Sequence, residues 1–444
     1  LSALSANRKI DYNIPMLEQI EMQPTGPIHG SIRPPGSKSL TNRAMICAAL
    51  AQGESVLIGA LDSDDTRVMI EALRQLGLYV EHRPDEKIIR VAGCAGRLPA
   101  RASHQAAELF LGNSGTSIRF LTALVALGQG HFRLDGTARM RQRPIEDLLV
   151  ALRELGADAR SESHNGCPPV IVQANSLHGG KACVAGDISS QFLSALLMAA
   201  PVASEPVELS IRGTLVSQPY VAMTLAVMES FGITRPPLAW PMKIMPAQYR
   251  GCRYEVEPDA SAASYFFAAA AITQGRITVE GLHADSLQGD VAFCDCLRQM
   301  GCEVAASPQG ITVAGRTLHG IDIDMNAISD TVQTLGAVAL FADGPTTIRN
   351  VGHIRHKETD RLSALAIELR KLGAQVDEYD DGLRIERRGL QGAVIDTYDD
   401  HRMAMSLALV GLRQPGVVIR DPGCTAKTYP AFFQDLERLV AFEQ

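Results

Sequence analysis

Residues 36 to 43 read Gly36-Ser37-Lys38-Ser39-Leu40-Thr41-Asn42-Arg43, between Pro34-Pro35 and the apolar run Ala44-Met45-Ile46-Cys47-Ala48-Ala49-Leu50. Pro-Pro-Gly ends an extended segment, and small hydroxyl residues ahead of an apolar run mark a helix start with its N-cap. The free N–H groups and positive dipole end of such a start attract anions, and Lys38 and Arg43 add two full charges. By itself the stretch has two equal readings: a phosphate or carboxylate site, or a capped helix with two solvated cations. It is not a P-loop, because the Gly-x4-Gly-Lys-Ser/Thr spacing is absent.

The helix begun here is apolar nearly all round, as a helix buried on every side would be. Its successor over 65–76 is amphipathic, with Val68, Met69, Ala72, Leu73 and Leu76 in one stripe and Gly77 as its stop. The pairing recurs five times. Polar starts at 112–119, 186–191, 259–261, 328–331 and 398–402 open apolar runs, and surface helices follow over 144–155, 220–231, 290–300, 358–372 and 429–439. The spacing of about 70 to 76 residues exceeds the usual solenoid periods, so each repeat is a full α/β subdomain and six repeats make three per domain. Short β-branched or alternating runs at 207–211, 276–279 and 417–420 supply strands. A domain boundary falls near 253–258, and the Pro-rich stretch 234–246 reads as loop or edge strand.

Composition agrees with two globular domains. The chain has 444 residues, 46% of them hydrophobic, and a net charge of -7, which disfavours nucleic acid and membrane surfaces as partners. Local clusters of Lys and Arg therefore point to small anionic ligands. No apolar run is long enough to span a bilayer and no secretory signal opens the chain, so the cytoplasm is the expected compartment. Nine scattered cysteines suit reduced thiols, and Cys294, Cys296 and Cys302 lack metal-site spacing. Residues 1 to 15 carry no clear period and read as an artificial extension or a linker from a longer polypeptide.

The polar residues of the apolar helices gather at their N-termini: Lys38, Ser39 and Arg43; Asn113, Thr116 and Arg119; Ser189, Ser190 and Gln191; Asp330; Asp400, His401 and Arg402. N-capping accounts for Ser261 and Asp187, but a cation near the positive end of a helix is unfavourable unless an anion is bound. Three such starts per domain, facing across a cleft, make a site for a multiply anionic substrate. Loops carrying Arg139, Arg141 and Arg143, the charged segment 353–361, and Lys427 precede the second helix of their repeats, a shared position that favours function over solvated charge.

Read together, Pro-Gly-Ser-Lys-Ser (35–39), Leu-Gly-Asn-Ser-Gly-Thr (111–116), Arg-Pro (143–144), Ser-Ser-Gln (189–191), Lys-Glu-Thr-Asp-Arg (357–361), Asp-His-Arg-Met-Ala-Met (400–405) and Cys-Thr-Ala-Lys-Thr (424–428) closely resemble the 5-enolpyruvylshikimate-3-phosphate synthase family from about Met22 onward. The resemblance implies an α/β fold of two similar domains, each of three βαβαββ repeats with buried helices, an inside-out barrel with a cleft between. The first domain would span 36–257, and 1–35 would join 258–444. It implies a monomer that joins phosphoenolpyruvate to shikimate 3-phosphate without metal or organic cofactor. The sister family acting on UDP-N-acetylglucosamine is the alternative, but its reactive Cys is missing from 138–144 and Ser39 stands where it has Asn. A binding protein without turnover is a second alternative, opposed by the carboxylates Asp330 and Glu358 beside Lys427.

By the same resemblance, Asp330, Glu358 and Lys38 are catalytic. Lys38, Gly115, Arg139, Gln191, Arg361, Arg402 and Lys427 hold phosphoenolpyruvate. Lys38, Ser39, Arg43, Ser189, Ser190, Gln191, Ser217, Tyr220, Asp330, His353 and Lys357 hold shikimate 3-phosphate. Asp330 is expected to cap a helix as well as act as base. His353 replaces a common Asn and is expected to add pH dependence around its pKa. Like-signed faces are expected to keep the empty cleft open, hinged near Pro35 and Pro258. Gly115 leaves room for the inhibitor glyphosate, while Phe120, in place of a frequent Pro, packs in the core.

Overall fold

The computed structural model describes residues 18–99 and 107–441; the N-terminal stretch 1–15 discussed above lies outside them. Buried apolar residues form two clusters. One runs from Leu40 to Val256, and the other joins Met22, Ile28 and Ile32 to residues from Ala260 to Leu439. Each cluster holds three α/β repeats. The first contains α1 (Lys38–Leu50), α2 (Asp64–Gln75), α3 (Gly115–Ala126), α4 (Glu146–Glu154), α5 (Ser190–Ala199) and α6 (Gln218–Ser230). The second contains α7 (Ala260–Thr273), α8 (Phe293–Gln299), α9 (Val332–Ala339), α10 (Arg361–Lys371), α11 (His401–Ala408) and α12 (Phe432–Ala441).

The central helices are buried as their composition requires. Every residue of α3 and of α7 is buried, and so is α1 from Leu40 onward. At about 1.5–3 kcal/mol for each fully buried large apolar side chain, these helices anchor the two cores. Some of their polar side chains are paired with one another. Ser264 of α7 lies 3.1 Å from Thr334 of α9, which lies 3.2 Å from Ser406 of α11, so one hydroxyl from each helix joins a chain through the second core.

Six sheets surround the helices among the described residues. In four of them the two strands flanking the central helix run parallel, as in Ala107–Phe110 beside Gln129–Asp135, and the remaining strands add antiparallel. Two repeats borrow a strand from far away. Arg253–Glu255 pairs with Glu54–Ile58 to complete the first sheet, and His29–Ile32 pairs with Arg276–Glu280 in the second half. Gln19–Glu21 closes the last sheet against Val418–Arg420. The chain thus passes between the halves twice, and the two crossings lie side by side: Ser37 N–H donates to Glu257 O at 2.8 Å, and Asp259 N–H to Pro35 O at 2.8 Å. A Cβ on Gly36 would sit 1.9 Å from Gly59 O, so only glycine lets the first crossing pass the end of the strand Glu54–Ile58.

Two helix expectations need correction. The helix α6 is not a surface helix, because Met223 to Met228 are all buried and only its ends are exposed. It packs against α1 and α5, where Thr224 accepts from Arg43 and donates to Ser194. Asp330 caps no helix. It lies in the 3-10 segment Asn326–Thr331, and Thr331 precedes α9 without a side-chain cap. The stretch 234–246 contributes the edge strand Met242–Ile244, paired with Val207–Leu209.

Candidate active site

The caps of the central helices set the site. Ser37, Ser114 and Ser189 accept from N–H groups in the first turns of α1, α3 and α5, and Asp259 and Asp400 do so for α7 and α11. Asp187 and Ser261 therefore do not cap; Ser261 instead donates to Asp290. These starts face one another, and a small polar cavity between the halves is lined by Lys38, Asp65, Gly115, Thr116, Arg143, Gln191, Asp330, Lys357, Glu358, Arg361 and Arg402. A second cavity beside it takes in Ser39, Tyr220 and Asp290.

Carboxylates interleave with the cations. Arg361 is fully buried and makes a two-pronged pair with Asp400, 2.7 and 3.2 Å, while reaching Glu358 at 2.8 Å and Asp330 at 3.3 Å. Arg402 holds the other oxygen of Asp330 at 2.8 Å. Burial alone would raise the Asp330 carboxyl, but Arg402, Lys357 and Arg361 outweigh it and hold it well below the usual range. Glu358 behaves alike: burial is overcome by Arg361, Arg143 and Lys427. Lys357 is pushed down to about 8 by burial, which the Asp330 charge offsets only in part.

Across the cleft, Lys427 donates to Asp65 at 3.0 Å and to Asn113 O at 2.8 Å, and Lys38 lies 3.5 Å from the same Asp65. Arg139 spends its donors on the carbonyls of Arg355, Lys357 and Glu358, at 2.9 to 3.3 Å. The expected like-signed, open faces are therefore not what the structure shows. The halves touch: Lys38, Arg361 and Arg402 are partly neutralised by carboxylates of their own half, and Lys427–Asp65 and Arg143–Glu358 pair opposite charges across the cleft.

On the other flank, Ser217 sits in the left-handed region at φ 53 and its N–H donates to Asn326 Oδ1 at 3.1 Å. Its hydroxyl lies 3.4 Å from both Ser329 and His353. His353 is buried and its pKa falls to about 3, through burial first and Lys357 second. The imidazole is neutral throughout the working range, which removes the expected pH dependence near neutrality. Arg43 is withdrawn behind both cavities: it donates to Thr224, Ser194, Ser39 O and Tyr220 O, and its guanidinium lies over the Phe120 ring at 5.2 Å. Phe120, 1% exposed, does pack in the core, and it also carries a site residue on its face. Gln191 is fixed at both ends, accepting from Arg119 at 2.6 Å and donating to Thr116 at 3.2 Å. Ser189 and Ser190 stand beside it, both buried.

The room above Gly115 is already taken. A Cβ there would lie 2.4 to 2.8 Å from the Arg143 guanidinium, which donates to Asn113 O at 3.1 Å and stands 3.9 Å from Glu358. Arg143 and Asp65 line the cavity, yet sequence reasoning assigned them no ligand. The run of three Arg pointed to Arg143 only as one of a group. Asp65 looked like an ordinary acidic residue in the first turn of α2.

Comparison with known proteins agrees with this geometry. A sequence model of the family described as EPSP synthase (3-phosphoshikimate 1-carboxyvinyltransferase) matches residues 22–436. A Nostoc punctiforme protein named 3-phosphoshikimate 1-carboxyvinyltransferase is 49% identical over 419 residues, 93% of this chain and 97% of the relative. An Arabidopsis thaliana protein of the same name, designated chloroplastic, is 47% identical over 442 residues, 95% of this chain and 84% of the relative. The EPSP synthase structure from Acinetobacter baumannii superposes with a TM-score of 0.79 at 25% identity, covering 95% of this chain and 98% of that one. Among the described residues no helix is long and apolar enough to cross a membrane. With a family match over most of its length and relatives near half identity, the chain belongs to the EPSP synthase family.

Proposed function

We propose that this protein is a 3-phosphoshikimate 1-carboxyvinyltransferase, which transfers the enolpyruvyl group of phosphoenolpyruvate to the 5-hydroxyl of shikimate 3-phosphate in the route to the aromatic amino acids. The observation that carries this reading is the convergence of Lys38, Arg361 and Arg402 with the carboxylates Asp330 and Glu358 on one buried polar cavity. A dianionic phosphate and a carboxylate need several fixed cations, and an addition followed by an elimination needs an acid and a base at the same carbon.

In the first step the 5-hydroxyl oxygen bonds to C2 of phosphoenolpyruvate, its proton leaves, and a proton arrives at C3. In the second step a proton leaves C3, the double bond re-forms and the C2–O bond to phosphate breaks. Asp330 takes the hydroxyl proton. Because Arg402 and Arg361 keep it ionised, it acts first as a fixed acceptor that aims the hydroxyl, and the proton moves as the new bond forms. Lys38 and Glu358 exchange the proton at C3. Phosphoenolpyruvate is held by Lys38, Gly115, Arg139, Gln191, Arg361, Arg402 and Lys427. Shikimate 3-phosphate is held by Ser39, Ser189, Ser190, Ser217, Tyr220, His353 and Lys357 together with Lys38, Gln191 and Asp330, and Arg43 joins them by releasing the Ser39 and Tyr220 carbonyls. The reading includes two domains, 36–257 and 1–35 with 258–444, that close about the paired crossings, and a cytoplasmic monomer needing no cofactor.

Phosphate release from phosphoenolpyruvate, measured with shikimate 3-phosphate and with UDP-N-acetylglucosamine in turn, tests the assignment. Release with the first acceptor only is expected, and release with the second only would assign the chain to the sister chemistry. Asp330→Ala is expected to keep both ligands while turnover falls about 10²-fold or more. Near-normal turnover in that variant removes Asp330 from the mechanism.

A further inference from the structure

Asp290 is a buried carboxyl that the proposed mechanism does not use. It is 4% exposed in the 3-10 turn Gly289–Ala292 of the second half. Its Oδ2 accepts from Ser261 Oγ of α7 and lies 3.1 Å from the Tyr220 hydroxyl of α6, across the cleft. Its Oδ1 is buried without a partner, and among the described residues no Lys or Arg forms an ion pair with it. The Tyr220 hydroxyl also lies 3.3 Å from Asp330 Oδ2. One phenolic proton thus stands between two carboxyls.

Counting donors decides between the possible states. Asp330 already accepts from Arg402 and Arg361 and is ionised. If Asp290 were ionised too, Tyr220 could donate to only one of them, and its oxygen would face a bare lone pair of the other. A proton on Asp290 resolves this. Ser261 then donates to Asp290, Asp290 to Tyr220 and Tyr220 to Asp330, with one donor for every contact and the chain ending on the ionised carboxylate.

We propose that in the mildly acidic range Asp290 is a neutral carboxylic acid that donates to Tyr220 and aims its hydroxyl at Asp330, which makes Asp290 a positioning residue for Asp330 reaching across the cleft. The surroundings favour this state. Burial first, and the Asp330 charge second, push Asp290 up to about 6; Ser261 and Arg402 act the other way, and Asp259 adds to the rise. Lys38, which lines the same cavity, is taken up with Asp65. Proton loss with rising pH returns the Tyr220 proton to Asp290 and leaves Asp330 without it.

The kinetic consequence rests on the function proposed above, but the protonation state does not. Difference infrared spectra of the full chain between about pH 5 and about pH 8 should contain a protonated-carboxyl C=O band titrating well above an ordinary aspartic acid. This band should be missing in Asp290→Asn and displaced in Tyr220→Phe. An Asp290→Asn difference spectrum that superposes on the parent's overturns the proposal. In kinetics, Asp290→Asn keeps a neutral donor and should hold turnover within about threefold while losing an inflection near pH 6 in kcat/KM for the hydroxyl substrate. Asp290→Leu, lacking the donor, should raise KM by about tenfold. An inflection unchanged in Asp290→Asn also overturns the proposal. A parent inactive with every acceptor would sink the proposed function, and the infrared result would still decide the state of Asp290.

Discussion

Replacing Gly115 by alanine probes the site through a single contact. Gly115 opens α3 with ordinary backbone angles, so alanine brings no backbone strain, and the helix itself gains a few tenths of a kcal/mol. The added methyl would stand 2.6 Å from Arg143 Cζ, where nonbonded carbons need about 3.5 Å or more, so the guanidinium must move by roughly 1 Å. Arg143 is 3% exposed and tied to Asn113 O at 3.1 Å, so it has little room and loses a charge-assisted hydrogen bond on moving, at a cost of about 1.5–3 kcal/mol. If that cost falls on the bound state, KM for phosphoenolpyruvate rises about 10- to 100-fold, at 1.4 kcal/mol per factor of ten. Inhibition by glyphosate, placed beside Gly115 by family resemblance, should weaken at least as much. Steady-state kinetics on Gly115→Ala, Arg143→Ala and the double variant form a cycle. The alanine effect should shrink when Arg143 is already gone, because nothing remains to be displaced. An undiminished effect in the Arg143→Ala background would refute the reasoning.

Lys357, at about 8, is a cation below that pH and neutral above it, so kcat/KM for shikimate 3-phosphate should fall as pH rises through about 8. The limb should vanish in Lys357→Arg, and its persistence there would assign it elsewhere. His353→Asn should leave the pH profile above pH 5 unchanged, since the imidazole is already neutral there with its pKa near 3. A lost inflection near neutrality in that variant would show a charged His353. Asp65→Asn strips Lys427 and Lys38 of their shared carboxylate, so we expect about 3 kcal/mol of lost stability, partly restored by phosphate. Thermal melts checking this should show a larger phosphate shift than in the parent; equal melting temperatures without phosphate would count against the buried pairing.

Features written into short stretches were legible in the sequence. A cap and the apolar run it opens lie within about a dozen residues, so the starts of α1, α3, α5 and α11 could be placed from local chemistry alone. The burial of α6 was harder to see. Its Tyr-to-Phe stretch is apolar with polar ends, and only its packing against α1 and α5 distinguishes it from a surface helix. The parts of Asp65 and Asp290 in the site were hidden for another reason. Asp65 and Lys427 are 362 positions apart and Tyr220 and Asp290 are 70 apart, so no local pattern reveals these contacts. Arg or Lys at a helix start correctly signalled an anion, but spacing could not say how much of that anion the protein itself supplies.

The side-by-side crossings at Ser37 and Asp259 have a mechanical consequence. A single connecting strand is a swivel: it lets two bodies twist, tilt and slide. Two strands laced by hydrogen bonds form a ribbon, which bends easily across its face and resists torsion and shear. A ribbon of this kind favours one direction of swing between the two cores, and such a swing would part Lys427 from Asp65 and Tyr220 from Asp290 and Asp330. Registry between opposing groups is then a property of the ribbon.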